Sequence, residues 1–188
     1  HRPGHEMTYY PGEANLRAAD VVVINKMDTA DYEDVRTIYE NLAEVNPDAT
    51  VIEGASPLFV DNPDEIRGKR VLVVEDGPTL THGDMAYGAG YVAAQRFGAA
   101  EIVDPRPYAV DSIVATYEKY PDTGPILPAM GYGEQQMHDL EVTINKAPVD
   151  LVVVGTPIDL TRILDIKHPM QRVRYELQVI GTPNLEGL

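Results

Sequence analysis

The sequence predicts an α/β protein, with a mostly parallel sheet and helices on both faces. Three observations carry this. Continuous runs of branched apolar residues recur at Val21 to Ile24, Val71 to Val74 and Leu151 to Val154, as suits strands covered on both sides. Between them lie stretches with apolar residues at helical spacing, such as Val35, Ile38, Tyr39, Leu42 and Val45. The runs end in short loops of small or polar residues, where sheets of this kind bind ligands. Strands and helices in alternation mean a parallel sheet with right-handed crossovers.

Composition bounds the function. The 188 residues, 44% of them hydrophobic, suffice for one sizeable core or one large α/β domain. No apolar run is long enough to span a bilayer, and the first residues do not form a signal peptide. The absence of cysteine excludes disulfides and thiolate metal sites. Together these favour a cytoplasmic protein with no membrane partner. A net charge of −15 argues against nucleic acid as a partner. A phosphorylated ligand can still be held where Arg, His and backbone N–H groups converge. The chain opens on His1-Arg2-Pro3-Gly4-His5-Glu6 without an initiator Met and reads as part of something longer. No G-x-x-x-x-G-K-[ST] phosphate loop occurs in it: Gly68-Lys69 is followed by Arg70, with Pro63 where the first loop glycine would stand.

In chain order, His1 to Arg17 is expected to be loop, punctuated by Pro3, Gly4, Pro11 and Gly12. It is read either as a segment beside phosphates, with Arg2 and His5 as anion ligands, or as a solvated terminal loop. A buried strand at Val21 to Ile24 then runs into Asn25-Lys26-Met27-Asp28. This N-K-x-D set suits a nucleobase. The Asp28 carboxylate can accept two parallel hydrogen bonds from guanine, the Lys26 stem lies along the base face, and the Asn25 amide braces neighbouring loops. The competing reading is a strand end with a solvated lysine and an aspartate capping the next helix. That helix is predicted over Asp31 to Val45 and ends before Pro47. A strand over Ala49 to Glu53 leads to Gly54-Ala55-Ser56, where Ala55 and Ser56 either touch the base through backbone N–H groups or form an ordinary turn.

Leu58 to Arg67 is read as loop with a short helix. Lys69 to Gly77 is a strand ending in Glu75 and Asp76, carboxylates suited either to holding Mg²⁺ through water or to capping a turn. The next stretch, with Thr79, Thr81, His82 and Gly83, leads to a glycine-rich helix start at Gly88 and Gly90. Its N–H groups can hold an anion; alternatively the glycines only allow close packing. A strand over Glu101 to Val103, a helix over Asp111 to Tyr120 capped by Asp111 or Ser112, a strand over Pro125 to Met130, a helix over Glu134 to Asn145 and a strand over Asp150 to Val154 follow. Arg106, stiff between Pro105 and Pro107, suits an anion. Alternation at Val173, Tyr175, Leu177 and Val179 predicts one last strand over Arg172 to Ile180.

Several longer motifs carry a resemblance: His1 to Glu6, Tyr10 to Glu13, Val23 to Asp28, Glu75 to Gly83, Glu101 to Pro107 and Gly155 to Leu160. Over nearly its whole length the chain resembles the archaeal cyclic 2,3-diphosphoglycerate synthetase family. That resemblance implies a P-loop NTPase-like fold whose phosphate loop and a further domain lie upstream, so that residues 1–66 finish the nucleotide-binding domain. Residues 67–188 then form a substrate-side α/β domain or continue the same sheet. It implies ATP or GTP with Mg²⁺ as cofactors and a small phosphorylated substrate, closed into a cyclic anhydride with release of ADP and phosphate. Such chemistry needs positioning and charge neutralisation more than a protein nucleophile. Arg2, His5, His82 and Arg106 are the cationic groups expected around the phosphates. Two rival readings remain: a regulatory or metallochaperone-like GTPase whose Asn25, Lys26 and Asp28 read guanine, and a noncatalytic small-molecule-binding domain. Oligomeric state stays open, a homo-oligomer included.

Overall fold

A computed structural model describes residues 3–77, 87–131 and 133–187. The chain begins with two short helices, α1 (His5–Thr8) and α2 (Gly12–Ala18), followed by β1 (Val21–Ile24), α3 (Tyr32–Val45) and β2 (Thr50–Ala55). Next come β3 (Leu58–Val60), β4 (Arg70–Asp76), α4 (Ala89–Arg96), β5 (Glu101–Ile102), α5 (Asp111–Lys119) and β6 (Leu127–Ala129). The described chain closes with α6 (Glu134–Lys146), β7 (Leu151–Val154), β8 (Met170–Tyr175) and β9 (Gln178–Ile180). Two compact units result: His1–Pro57 with Tyr175–Leu188, and Leu58–Arg174. Among the described residues no helix is long and apolar enough to cross a membrane.

The first unit holds a three-stranded sheet in the order β1-β2-β9. β1 and β2 are parallel, with Val21 opposite Thr50 and Ile24 opposite Glu53, while β9 is antiparallel to β2. Leu16, Ile24 and Leu42 form the small core. Polar bonds tie the helices down. Asn46 Nδ2 donates to the Leu16 and Ala19 carbonyls, each at 2.8 Å, and the Tyr39 hydroxyl donates to Glu53 Oε1 at 2.8 Å. The expected N-terminal loop is thus partly helical. α1 is anchored to α3 by Asn41 Nδ2 donating to Glu6 Oε1 at 2.6 Å, and Leu16 of α2 enters the core. Tertiary contacts supply what a four-residue helix cannot supply alone.

The second unit is built on a six-stranded sheet in the order β3-β8-β7-β4-β5, with β6 also on β4. β4 is its axis. It pairs in parallel with β7 along Val71 to Val74, with β5 at its start, and with β6 from Val74 to Asp76. Side chains alternate across a strand, so each face of β4 has its own core. Leu72 and Val74 pack with Ile113 and Tyr117 of α5 and Leu140 and Ile144 of α6. Val71 and Val73 pack with Ala93 and Ala94 of α4. This two-sided burial is why the valine runs are continuous.

α4 packs on one face of β4, whereas the segment leaving β7 puts Leu160 and Leu164 into the core of the other. Three expectations need correction here. Arg172 to Ile180 is two strands in different sheets, broken at Glu176 and Leu177. Leu58 to Arg67 contributes a strand, β3, as well as a single turn at Pro63–Glu65. Neither Asp111 nor Ser112 caps α5: the buried Asp139 carboxylate of α6 accepts from the Ser112 N–H at 3.1 Å and its hydroxyl at 2.6 Å.

Candidate functional site

In the first unit the structure brings together the residues expected around a base. β1 delivers Asn25 to the carboxyl edge of the sheet, and β2 delivers Ala55 and Ser56 beside it. Asn25 Oδ1 accepts from the Lys26 N–H at 2.7 Å and the Ser56 hydroxyl at 2.9 Å. Asp28 Oδ1 accepts from the Ser56 N–H at 3.1 Å. Two loops from adjacent parallel strands are therefore laced through one serine. Lys26 turns the backbone in the left-handed region, at φ 63°, and so reverses the chain between Asn25 and Asp28. Asn25, Lys26 and Asp28 are exposed, Ala55 and Ser56 half-buried. One oxygen of Asp28 braces the neighbouring loop, and Oδ2 has no hydrogen-bond partner among the described residues. Chemically this is a fixed acceptor beside an ammonium stem, at a strand edge, suited to a base bearing N–H donors.

The second unit has a different constellation at the carboxyl end of β4. Glu75 is 2% exposed. Its carboxylate accepts from the Tyr91 N–H at 2.8 Å and from the N–H groups of Gly88 and Gly90, at the start of α4. A methyl group on Gly88 would stand 2.6 Å from Glu75 Oε2, and one on Gly155, after β7, would stand 2.3 Å from the same oxygen. Burial pushes the Glu75 carboxyl up from its usual 4.5 to about 7, against the downward pull of the three N–H groups, with the Asp76 charge adding to the rise. The expected Mg²⁺ ligand and the expected anion site thus fill one another. The N–H groups of Gly88 and Gly90 point at an anion, and that anion is Glu75. The carboxylate therefore faces the helix start rather than open solvent. Asp76 is half-buried. Among the described residues there is no group of three or more His, Cys, Asp or Glu side chains able to hold a metal ion.

Arg106 lies in a turn, Arg106–Tyr108, in the second unit. Its guanidinium pairs with Asp104 at 2.9 Å, donates to the Thr123 carbonyl and lies 5.1 Å from the centre of the Tyr117 ring. Tyr117 in turn donates to the Ile126 carbonyl at 2.7 Å. Arg106 lines an open cavity of about 290 Å³ with Tyr117 and Glu118. His5 is exposed on α1, its ring parallel to that of Tyr9 at 6.1 Å. Arg2, Thr79, Thr81, His82 and Gly83 lie outside the described residues. Sequence reasoning missed the parts of these sites that come from afar, Tyr91 at Glu75 and Leu177 beside Gly54. Gly155, expected at a strand end where a ligand would sit, instead makes room for Glu75.

The fold is α/β, with a mostly parallel sheet and helices, and is consistent with the P-loop NTPase type. In keeping with this, residues 6–53 match the CobW/HypB/UreG nucleotide-binding domain. The whole chain is similar to a protein of Thermococcus kodakarensis named arginine synthetase ArcE. It is 63% identical over 186 residues, which are 99% of this chain and 42% of that protein. The chain thus spans less than half the length of this relative. That name belongs to a different reaction from the cyclic anhydride closure that the motifs bring to mind. The two comparisons support the P-loop nucleotide-binding class, and not the cyclic diphosphoglycerate family.

Proposed function

We propose that this chain is the base-reading part of a nucleotide-dependent synthetase that forms arginine. The observation that carries the nucleotide half is the lacing of Asn25, Asp28 and Ser56 at the carboxyl edge of β1 and β2. The relative's name supports the product half. Asn25, Lys26, Asp28, Ala55 and Ser56 are assigned to the base. A nucleotide-driven route to a guanidinium group transfers a phosphoryl group to the oxygen of a ureido precursor. An ammonia nitrogen then displaces that oxygen as phosphate, leaving the nucleoside diphosphate as second product. The protein's share is positioning and the neutralisation of charge on the phosphates.

The test uses the intact natural protein with Mg²⁺, ATP or GTP, a ureido amino acid and ammonium, with arginine read by mass spectrometry and phosphorus species by NMR. Arginine formed in step with nucleoside diphosphate supports the proposal. Nucleotide turnover without arginine overturns the product assignment, and a cyclic anhydride resonance on adding 2,3-diphosphoglycerate would restore the resemblance-based reading. Asp28→Ala is expected to weaken nucleotide binding about tenfold or more, the usual worth of a hydrogen bond to a charged group.

A further inference from the structure

The base-reading loop is bordered by chain far from it in sequence. β9 runs antiparallel along β2, with Ala55 opposite Gln178 and Gly54 opposite Val179. Leu177, just before β9, lies over Gly54. A methyl group built on Gly54 would stand 2.5 Å from Leu177 Cδ1 and 3.5 Å from Asn25 Oδ1. Gly54 therefore leaves the room that Leu177 fills, and the two distances together put Leu177 Cδ1 no more than about 6 Å from Asn25 Oδ1. Leu177 still keeps 43% of its surface exposed. An apolar side chain beside Asn25, half covered by the sheet and half open, has surface left for a ligand.

A base read along its edge by a carboxylate has flat apolar faces that also need cover. The Lys26 stem can supply one such surface, and Asn25, Ala55 and Ser56 are too short or too polar to supply another. We infer that Leu177 is an apolar wall of the nucleobase site, so that base affinity and selectivity depend on the C-terminal strand as well as on the Asn25–Asp28 loop. This rests on the nucleotide reading of that loop.

The experiment measures affinities of the intact natural protein for ATP, GTP, adenosine, guanosine and pyrophosphate by calorimetry. Wild type is compared with Leu177→Ala, Leu177→Met and Gly54→Ala. Removing most of the leucine side chain should weaken nucleotides and nucleosides alike by about fivefold to tenfold and leave pyrophosphate unchanged. Leu177→Met, which conserves volume, should restore most of the affinity. Gly54→Ala, which pushes the leucine aside, should reproduce the alanine result. Purine affinity unchanged in Leu177→Ala overturns the inference. So does a parallel loss of pyrophosphate binding, since a structural role alone would produce it. If wild type binds pyrophosphate but no purine compound, the nucleotide reading fails first, and that result is distinct from the other two.

Discussion

Replacing Glu75 by glutamine tests the buried carboxylate directly. In the folded chain Glu75 gains its proton at about 7 instead of 4.5, because burial outweighs the N–H groups of Tyr91, Gly88 and Gly90. At low pH both folded and unfolded chains carry the proton, and Glu75 costs nothing. As pH rises the unfolded chain ionises first, so folding loses stability progressively until the folded carboxyl has ionised too. At about 1.4 kcal/mol for each tenfold difference in proton affinity, the full loss is about 3 kcal/mol. Glu75→Gln has no such titration. Urea unfolding of both proteins between about pH 4 and about pH 8 should therefore show the wild type losing about 3 kcal/mol relative to the variant. Carbon NMR of labelled glutamate side chains should show one resonance with its midpoint near 7, absent from the variant. Parallel stability curves would refute the reasoning, as would a titration of that resonance at the usual glutamate value.

Two further outcomes follow from the same unit. Gly155→Ala would put a methyl group 2.3 Å from Glu75 Oε2 and 2.7 Å from the Gly90 nitrogen. It should destabilise by about 1–3 kcal/mol, read as a lower urea midpoint. Asp139→Ala removes the acceptor for the Ser112 N–H and hydroxyl at the start of α5, and a loss of about 1–2 kcal/mol is expected from the missing cap. Hydrogen bonds from Ser112 hold the Asp139 carboxyl below the usual aspartate range. The cap's contribution should therefore be full at neutral pH and fade only as pH falls through that lowered value.

What was legible in the sequence was local. Val21 to Asp28 announces a strand and the loop after it because strand, turn and chemistry are contiguous, but the expected burial on both faces fails there: only Ile24 of β1 is buried, and Val23 is exposed. The valine runs of β4 and β7 are just as plain, since burial on both faces leaves no room for polar alternation. The illegible parts depend on distant partners. α1 is too short to show a period, and Asn41 is what holds it. The alternation from Val173 to Val179 crosses from one sheet to another without a break in pattern, because strands in both sheets share the same two-residue repeat. Glu75 and the glycines at 88, 90 and 155 each look available for a ligand when read alone. Only folding shows that the carboxylate and the N–H groups satisfy one another.

The place of β9 has a consequence for how the molecule is made. The sheet of the first unit takes its third strand from residues 178–180, after the whole of the second unit. A ribosome finishes β1, β2 and the Asn25–Asp28 loop well before β9, so the edge of β2 that carries Gly54 and Ala55 must wait for the end of the described chain. An exposed strand edge invites pairing with other chains. Joining strands so distant in sequence carries a loop-closure cost, which drops once the second unit has folded and shortened the span. The three-stranded sheet of the first unit is therefore complete only when synthesis of the described chain is nearly finished.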